Sequence, residues 1–231
     1  MKITINRTHV SDGTRDVRLD GALSRVGRID TGVIPDGVRF ISGQQFIFEL
    51  EPGVRNVDME WGDGISQQRR IAFPYLVFYF QQDKHGQAPV FIFSRNKPLR
   101  SLDDELYAPA LLNCLYSGRD MYYACGTVSG CDLHSSAHRL RTQFFEQQFN
   151  RDGYAASGHY EYLCSLAITK RRFCKIRNPE AWERASLKDP KFILKMDWIK
   201  TKHTPRSLLA NHMHNPSRIM GRMIDVILHN R

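Results

Sequence analysis

Two runs of β-forming residues constrain this chain more than anything else in it. Phe73-Pro74-Tyr75-Leu76-Val77-Phe78-Tyr79-Phe80 and Pro89-Val90-Phe91-Ile92-Phe93-Ser94 are separated by the polar stretch Gln81 to Gly86. Aromatic and β-branched residues at this density favour strands, and the short polar break favours a hairpin. Neither run alternates apolar with polar residues. A strand apolar on both faces is covered on both, so this hairpin is expected at the centre of a sheet with helices packed over it. Pro74 and Pro89 are expected at strand starts, where no ladder donor is missed.

Shorter strand signals precede the hairpin. They are Lys2-Ile3-Thr4-Ile5, Val38-Arg39-Phe40-Ile41, Gln45 to Leu50, and Val54 to Trp61. After Thr127 the period changes. Ser135 or Ser136 can cap a helix reaching about Asn150, with Leu140, Phe144, Phe145 and Phe149 along one face. Tyr160 to Thr169 suits either helix or strand. Asn178-Pro179-Glu180 opens a helix through Lys188, Phe192 to Lys200 reads as another, and further starts stand at Thr204-Pro205 and Asn215-Pro216. Strands first and helices after make an α+β protein.

Charge divides the chain. Of 33 Lys and Arg residues, 15 fall in 167–231, against 5 of the 24 Asp and Glu. A basic excess confined to one end suits an acidic partner, either nucleic acid or an acidic protein. Its densest run is Lys170-Arg171-Arg172-Phe173-Cys174-Lys175-Ile176-Arg177, so Lys170, Arg171, Arg172, Lys175 and Arg177 are the candidate binding surface. The expected organisation is 1–37 as an N-terminal extension or edge strands, 38–166 as the core, and 167–231 as a basic, mostly helical extension. No run of roughly 18 apolar residues is present, so no membrane span is expected. The first residues lack the apolar segment of a secretory signal, and the 5 cysteines are unevenly spaced. The expectation is a cytoplasmic chain with reduced thiols.

The chemistry-bearing stretch is Leu99 to Thr127. An acidic turn, Asp103-Asp104-Glu105, leads to Leu106-Tyr107-Ala108-Pro109 and on to Asn113. A Ser117-Gly118 turn follows, and Cys125-Gly126 comes next. A cysteine thiolate forms thioesters, and an amide side chain nearby stabilises the oxyanion of that reaction. The plainer reading of Cys125 is a packed structural thiol. His134, His138, Cys125 and Cys131 cluster in sequence, as do His203, His212 and His214, but neither group has the paired spacing of a structural zinc site. No phosphate-binding glycine loop, nucleophile elbow or paired-carboxylate motif occurs.

Leu106-Tyr107, Pro109, Asn113, Gly118, Cys125-Gly126-Thr127 and the Phe144-Phe145 pair with Phe149 resemble family D of the prokaryotic ubiquitin-conjugating-enzyme-like proteins, which occur on plasmids and other mobile elements. The resemblance covers roughly 38–155. Ala108-Pro109 stands one position earlier than in the family, and six residues separate Gly118 from Cys125. No His-Pro precedes Asn113. The resemblance implies a four-stranded antiparallel meander with packed helices. It implies Cys125 as the thioester nucleophile for a ubiquitin-like modifier, Asn113 as the oxyanion amide, and Tyr107 and Pro109 as shapers of the loop beneath. The implied partners are the modifier and its activating enzyme, with an amine as acceptor and no cofactor or metal. The competing expectation keeps the fold without the chemistry: a mobile-element or phage adaptor that binds protein or nucleic acid through the basic end.

Overall fold

A computed structural model describes residues 4–5, 9–11, 16–18, 36–42, 45–60, 65–81, 87–109, 114–116, 121–129, 142, 144–149, 174–176 and 178–210. Three short strands, β1 (Thr4–Ile5), β2 (His9–Ser11) and β3 (Asp16–Arg18), pair antiparallel in a sheet of their own. The main sheet is built from β4 (Val38–Ser42), β5 (Gln45–Leu50), β8 (Tyr75–Gln81), β9 (Gln87–Arg95), β10 (Cys114–Tyr116) and β11 (Tyr122–Ser129). Its order is β10-β11-β9-β8-β5-β4, antiparallel throughout. Between β5 and β8 the chain leaves to form a separate hairpin, β6 (Gly53–Glu60) and β7 (Ser66–Phe73). The architecture is α+β. The sheet has six strands where the resemblance implies four, and the β6–β7 excursion interrupts their succession.

The central position of β8 and β9 matches the expectation from their composition, and the register shows why both faces are apolar. Phe46 pairs with Phe80 and Phe48 with Phe78, their rings 5.0 and 6.4 Å apart. On the other face Ile47 pairs with Tyr79, and Tyr79 with Phe91. All seven side chains are buried. The first face meets Phe144, whose ring lies 5.2 Å from that of Phe78. The second meets His203, 6.0 Å from Phe93. Only the first of these two partners comes from helical residues.

Several local expectations are corrected. The run from Phe73 to Phe80 is two strands, because Pro74 stands between β7 and β8. Pro89 is the third residue of β9, not its first; the β8 ladder has already ended at Val90, so its missing N–H costs no rung there. Among the described residues of the helix expected to run to Asn150, Thr142 and 144–146 are helical and 147–149 are not, since the backbone of Phe149 bonds to β6 instead: its N–H donates to Asp58 O at 2.7 Å and its carbonyl accepts from Glu60 N at 2.8 Å. Phe192 to Lys200 is not one helix. A 3₁₀ turn, Pro190–Lys195, gives way to extended chain, because Ile199 to Thr201 bonds to the backbone of Leu106 and Ala108.

Two helices follow expectation. Asn178 Oδ1 accepts Ala181 N at 2.8 Å and Pro179 fills the first turn of α1 (Pro179–Lys188). α2 (Pro205–Ala210) begins at Pro205, as the Thr204-Pro205 signal predicts. Residues 178–210 share the core of the strands: Trp182, Phe192, Ile193, Met196, Trp198 and Leu208 belong to the same buried cluster. The expected elements at 160–169 and beyond 215 lie outside the described residues.

Candidate functional site

The stretch 99–109 is held from four sides. At its start Leu99 N–H donates to the buried carboxylate of Glu49 at 2.6 Å. Arg39 faces the same carboxylate, Nε to Oε1 at 2.9 Å. Burial pushes the Glu49 carboxyl above its usual range, against the lowering effect of Leu99 N–H and Arg39. In the middle, Asp104 Oδ2 accepts Arg100 N and Ser101 N at 2.7 and 3.0 Å, which builds the acidic turn. The buried Arg95 spans that turn, donating to Glu105 O at 2.7 Å and meeting Asp104 Oδ2 at 3.2 Å. At its end Tyr107 pairs with Ser94 of β9, N–H to O at 3.1 Å and O from N–H at 2.8 Å. On the outside the C-terminal segment bonds in turn, Ala108 N to Ile199 O at 2.8 Å and Thr201 N to Leu106 O at 2.9 Å. A buried charge needs such partners, and each here has them.

Tyr107 is half-buried, and Ala108 and Pro109 are buried. The Tyr107 hydroxyl donates to Glu105 Oε2 at 2.9 Å, and Lys200 Nζ meets Glu105 Oε1. The Lys200 bond, then the Tyr107 bond, holds the Glu105 carboxyl below its usual range. Burial, then the neighbouring Glu105, raises the Tyr107 hydroxyl above its own.

β9 therefore has two successive partners along one edge: β11 beside its first half and Tyr107 beside its last residues. β10 completes the hairpin outside β11, with Cys114 opposite Ala124, Leu115 opposite Tyr123 and Tyr116 opposite Tyr122. The β9–β11 register slips between Tyr123, opposite Phe91, and Thr127, opposite Pro89. Ala124, Cys125 and Gly126 thus stand against the single residue Val90, a bulge that re-aims side chains and that recurs beside active sites.

Cys125 lies inside β11, in that bulge; only its backbone position is described. Asn113 lies outside the described residues. Its chain neighbour Cys114 is buried and pairs with Ala124, the neighbour of Cys125. Of the basic run, Lys170, Arg171, Arg172 and Arg177 lie outside the described residues, while Lys175 is exposed with its ammonium 5.6 Å from the Phe192 ring. Among the described residues no group of three or more His, Cys, Asp or Glu side chains is arranged to hold a metal ion, and no helix is long and apolar enough to cross a membrane.

Glu49 and Arg95 were not among the residues the sequence singled out. Their signal was present: each is a charge inside or at the end of a mostly apolar strand, which demands a partner from elsewhere in the fold. No family model, curated protein or solved structure matches this chain.

Proposed function

We propose that the chain is a ubiquitin-conjugating-like transferase, with Cys125 as its thioester nucleophile and Asn113 as the amide that steadies the oxyanion. In the loading step the Cys125 thiolate attacks the carbonyl carbon of a ubiquitin-like modifier held as a thioester by an activating enzyme. A new C–S bond forms, the old one breaks, and the activating enzyme's thiolate leaves. In the transfer step an amine attacks the same carbon, an amide forms, Cys125 leaves as thiolate, and the amine gives up its proton. An amide N–H near the carbonyl oxygen favours both tetrahedral intermediates.

One observation carries the reading. The chain neighbours of the two candidates, Cys114 and Ala124, are paired across β10 and β11, and Cys125 sits in the bulge of the inner strand. Glu49 and Arg95 support it by fixing the stretch that leads to Asn113. The test is competitive alkylation of the native full-length chain with limiting iodoacetamide at neutral pH, read by peptide mass spectrometry. Cys174 is exposed and Cys114 buried, so they are internal standards. A nucleophile at Cys125 reacts ahead of Cys174. If Cys125 instead reacts as slowly as Cys114, and only on unfolding, the transferase reading fails and the adaptor reading takes its place.

A further inference from the structure

α1 carries a second surface, independent of Cys125. Its inner face is Pro179, Trp182 and Ser186, all buried against the hairpin. Its acids are spoken for, Glu183 at the side of the helix and Glu180 one turn before Arg184 on the outer face. Glu180 and Glu183 both pair with Arg69 of β7, at 2.8 and 2.9 Å, and Glu183 also accepts Arg70 N at 2.9 Å. Beyond the helix, Asp189 pairs with Lys195 at 3.0 Å. The cations are treated differently. Arg184, Lys188 and Lys191 are exposed, and none has an acidic partner among the described residues. Between them stands Leu187, 58% exposed and one of two large hydrophobic side chains so placed among the described residues.

Arg184, Leu187 and Lys188 are spaced i, i+3 and i+4, so they share the outer face of α1. Lys191 follows in the first turn of the 3₁₀ segment. Leu187 offers an apolar contact between these cations, and a phosphate backbone finds nothing in it to bond. Cations flanking an aliphatic side chain complement an acidic segment that offers an aliphatic side chain of its own. We propose that this face docks an acidic peptide segment of a partner protein, with Leu187 against the apolar residue and Arg184, Lys188 and Lys191 against its carboxylates.

The test uses the full-length chain and a short fluorescent peptide of Glu and Asp with two central leucines, read by fluorescence anisotropy at low salt. The peptide binds, and binding weakens as salt rises. The paired substitution Arg184→Glu with Lys188→Glu lowers affinity about tenfold or more, since two favourable pairs become repulsive. Leu187→Ser, or serine in place of the peptide's leucines, lowers it about fivefold. The substituted positions are exposed, and unchanged thermal unfolding of each variant separates lost binding from lost folding. Absence of binding, or a Leu187→Ser variant that binds equally well, overturns the proposal. So does tighter binding of a mixed-sequence DNA duplex at the same salt, which would assign the face to nucleic acid.

Discussion

Ala72 and Tyr79 are both fully buried and lie seven residues apart, yet their polar atoms meet opposite treatment. Ala72 is on β7, where its N–H and carbonyl point away from the β6 ladder toward α1. Ser186 Oγ takes the N–H at 2.9 Å, and Trp182 Nε1 donates to the carbonyl at 3.0 Å. Ser186 then donates to Trp182 O at 2.8 Å, which closes the set. With Glu183 on Arg70 N, one helix face occupies the outer edge of β7. Tyr79 is on β8, at the middle of the main sheet. Its ring stacks on Phe91 at 5.9 Å, but its hydroxyl has no hydrogen-bond partner among the described residues, and neither does the amide of Gln45 on the neighbouring strand. The hairpin is fastened by directed bonds and the inner sheet by apolar area. An exposed strand edge invites further pairing, so it has to be closed residue by residue; a strand with neighbours on both sides already has its backbone satisfied.

The strongest way to break this contrast is to remove its largest part. Trp182→Ala deletes a buried aromatic that packs 5.6 Å from Phe73 and leaves the Ala72 carbonyl without its donor. A loss of about 4 kcal/mol is expected in urea unfolding. A loss below about 1 kcal/mol would mean that α1 is a passenger on the hairpin. Next in size is the alkaline limb. Burial pushes the Tyr79 hydroxyl up to about 12 from 10.0. The folded state holds this proton more tightly than the unfolded chain, so the contribution is complete below about pH 10 and disappears as pH rises toward 12. The two-unit difference corresponds to about 3 kcal/mol. Urea midpoints measured across that range should fall accordingly.

What the sequence revealed about these two regions follows the same division. The inner hairpin was legible because burial on both faces writes itself into composition: Phe78, Tyr79, Phe80, Phe91 and Phe93 need no partner's identity to be read as core. The start of α1 was legible because Asn178-Pro179 is a local signal. β7 was not. Ser66 to Arg70 is polar because that half of the strand is exposed, and it becomes a strand through β6 on one side and α1, more than 100 residues later, on the other. The same holds at the candidate site. Cys125 and Gly126 carry no strand signal of their own in the sequence. The bulge that holds them in β11 exists only once β9 is alongside. The roles of Glu49 and Arg95 depend likewise on Leu99 and Glu105 arriving from another segment.

Ser186→Ala sharpens the comparison at the scale of one bond. It removes the acceptor of Ala72 N–H in a site without solvent access and leaves the packing of Trp182 in place. A buried N–H left without a partner costs about 2 kcal/mol. Ser186→Thr keeps the oxygen and should recover part of that loss if the methyl fits. An unaltered urea midpoint for Ser186→Ala would show that the edge of β7 is closed by packing alone.

Tyr79→Phe is the smallest effect and the one whose sign decides most. In the seam, deleting a hydroxyl costs stability because a backbone group depends on it. At Tyr79 the hydroxyl has no hydrogen-bond partner among the described residues, so its removal releases a desolvated polar group and keeps the ring against Phe91. The expected outcome is a gain of up to about 1 kcal/mol at neutral pH. The same variant should flatten the alkaline limb, because the ionising group is gone; Tyr75 and Tyr107, whose hydroxyls are also raised by burial, remain in both proteins and cancel in the difference. A loss of 1 kcal/mol or more at neutral pH would mean that the hydroxyl is bonded after all, through buried water shared with Gln45. The inner sheet would then be fastened by directed bonds as the seam is, and the contrast between the two regions would disappear.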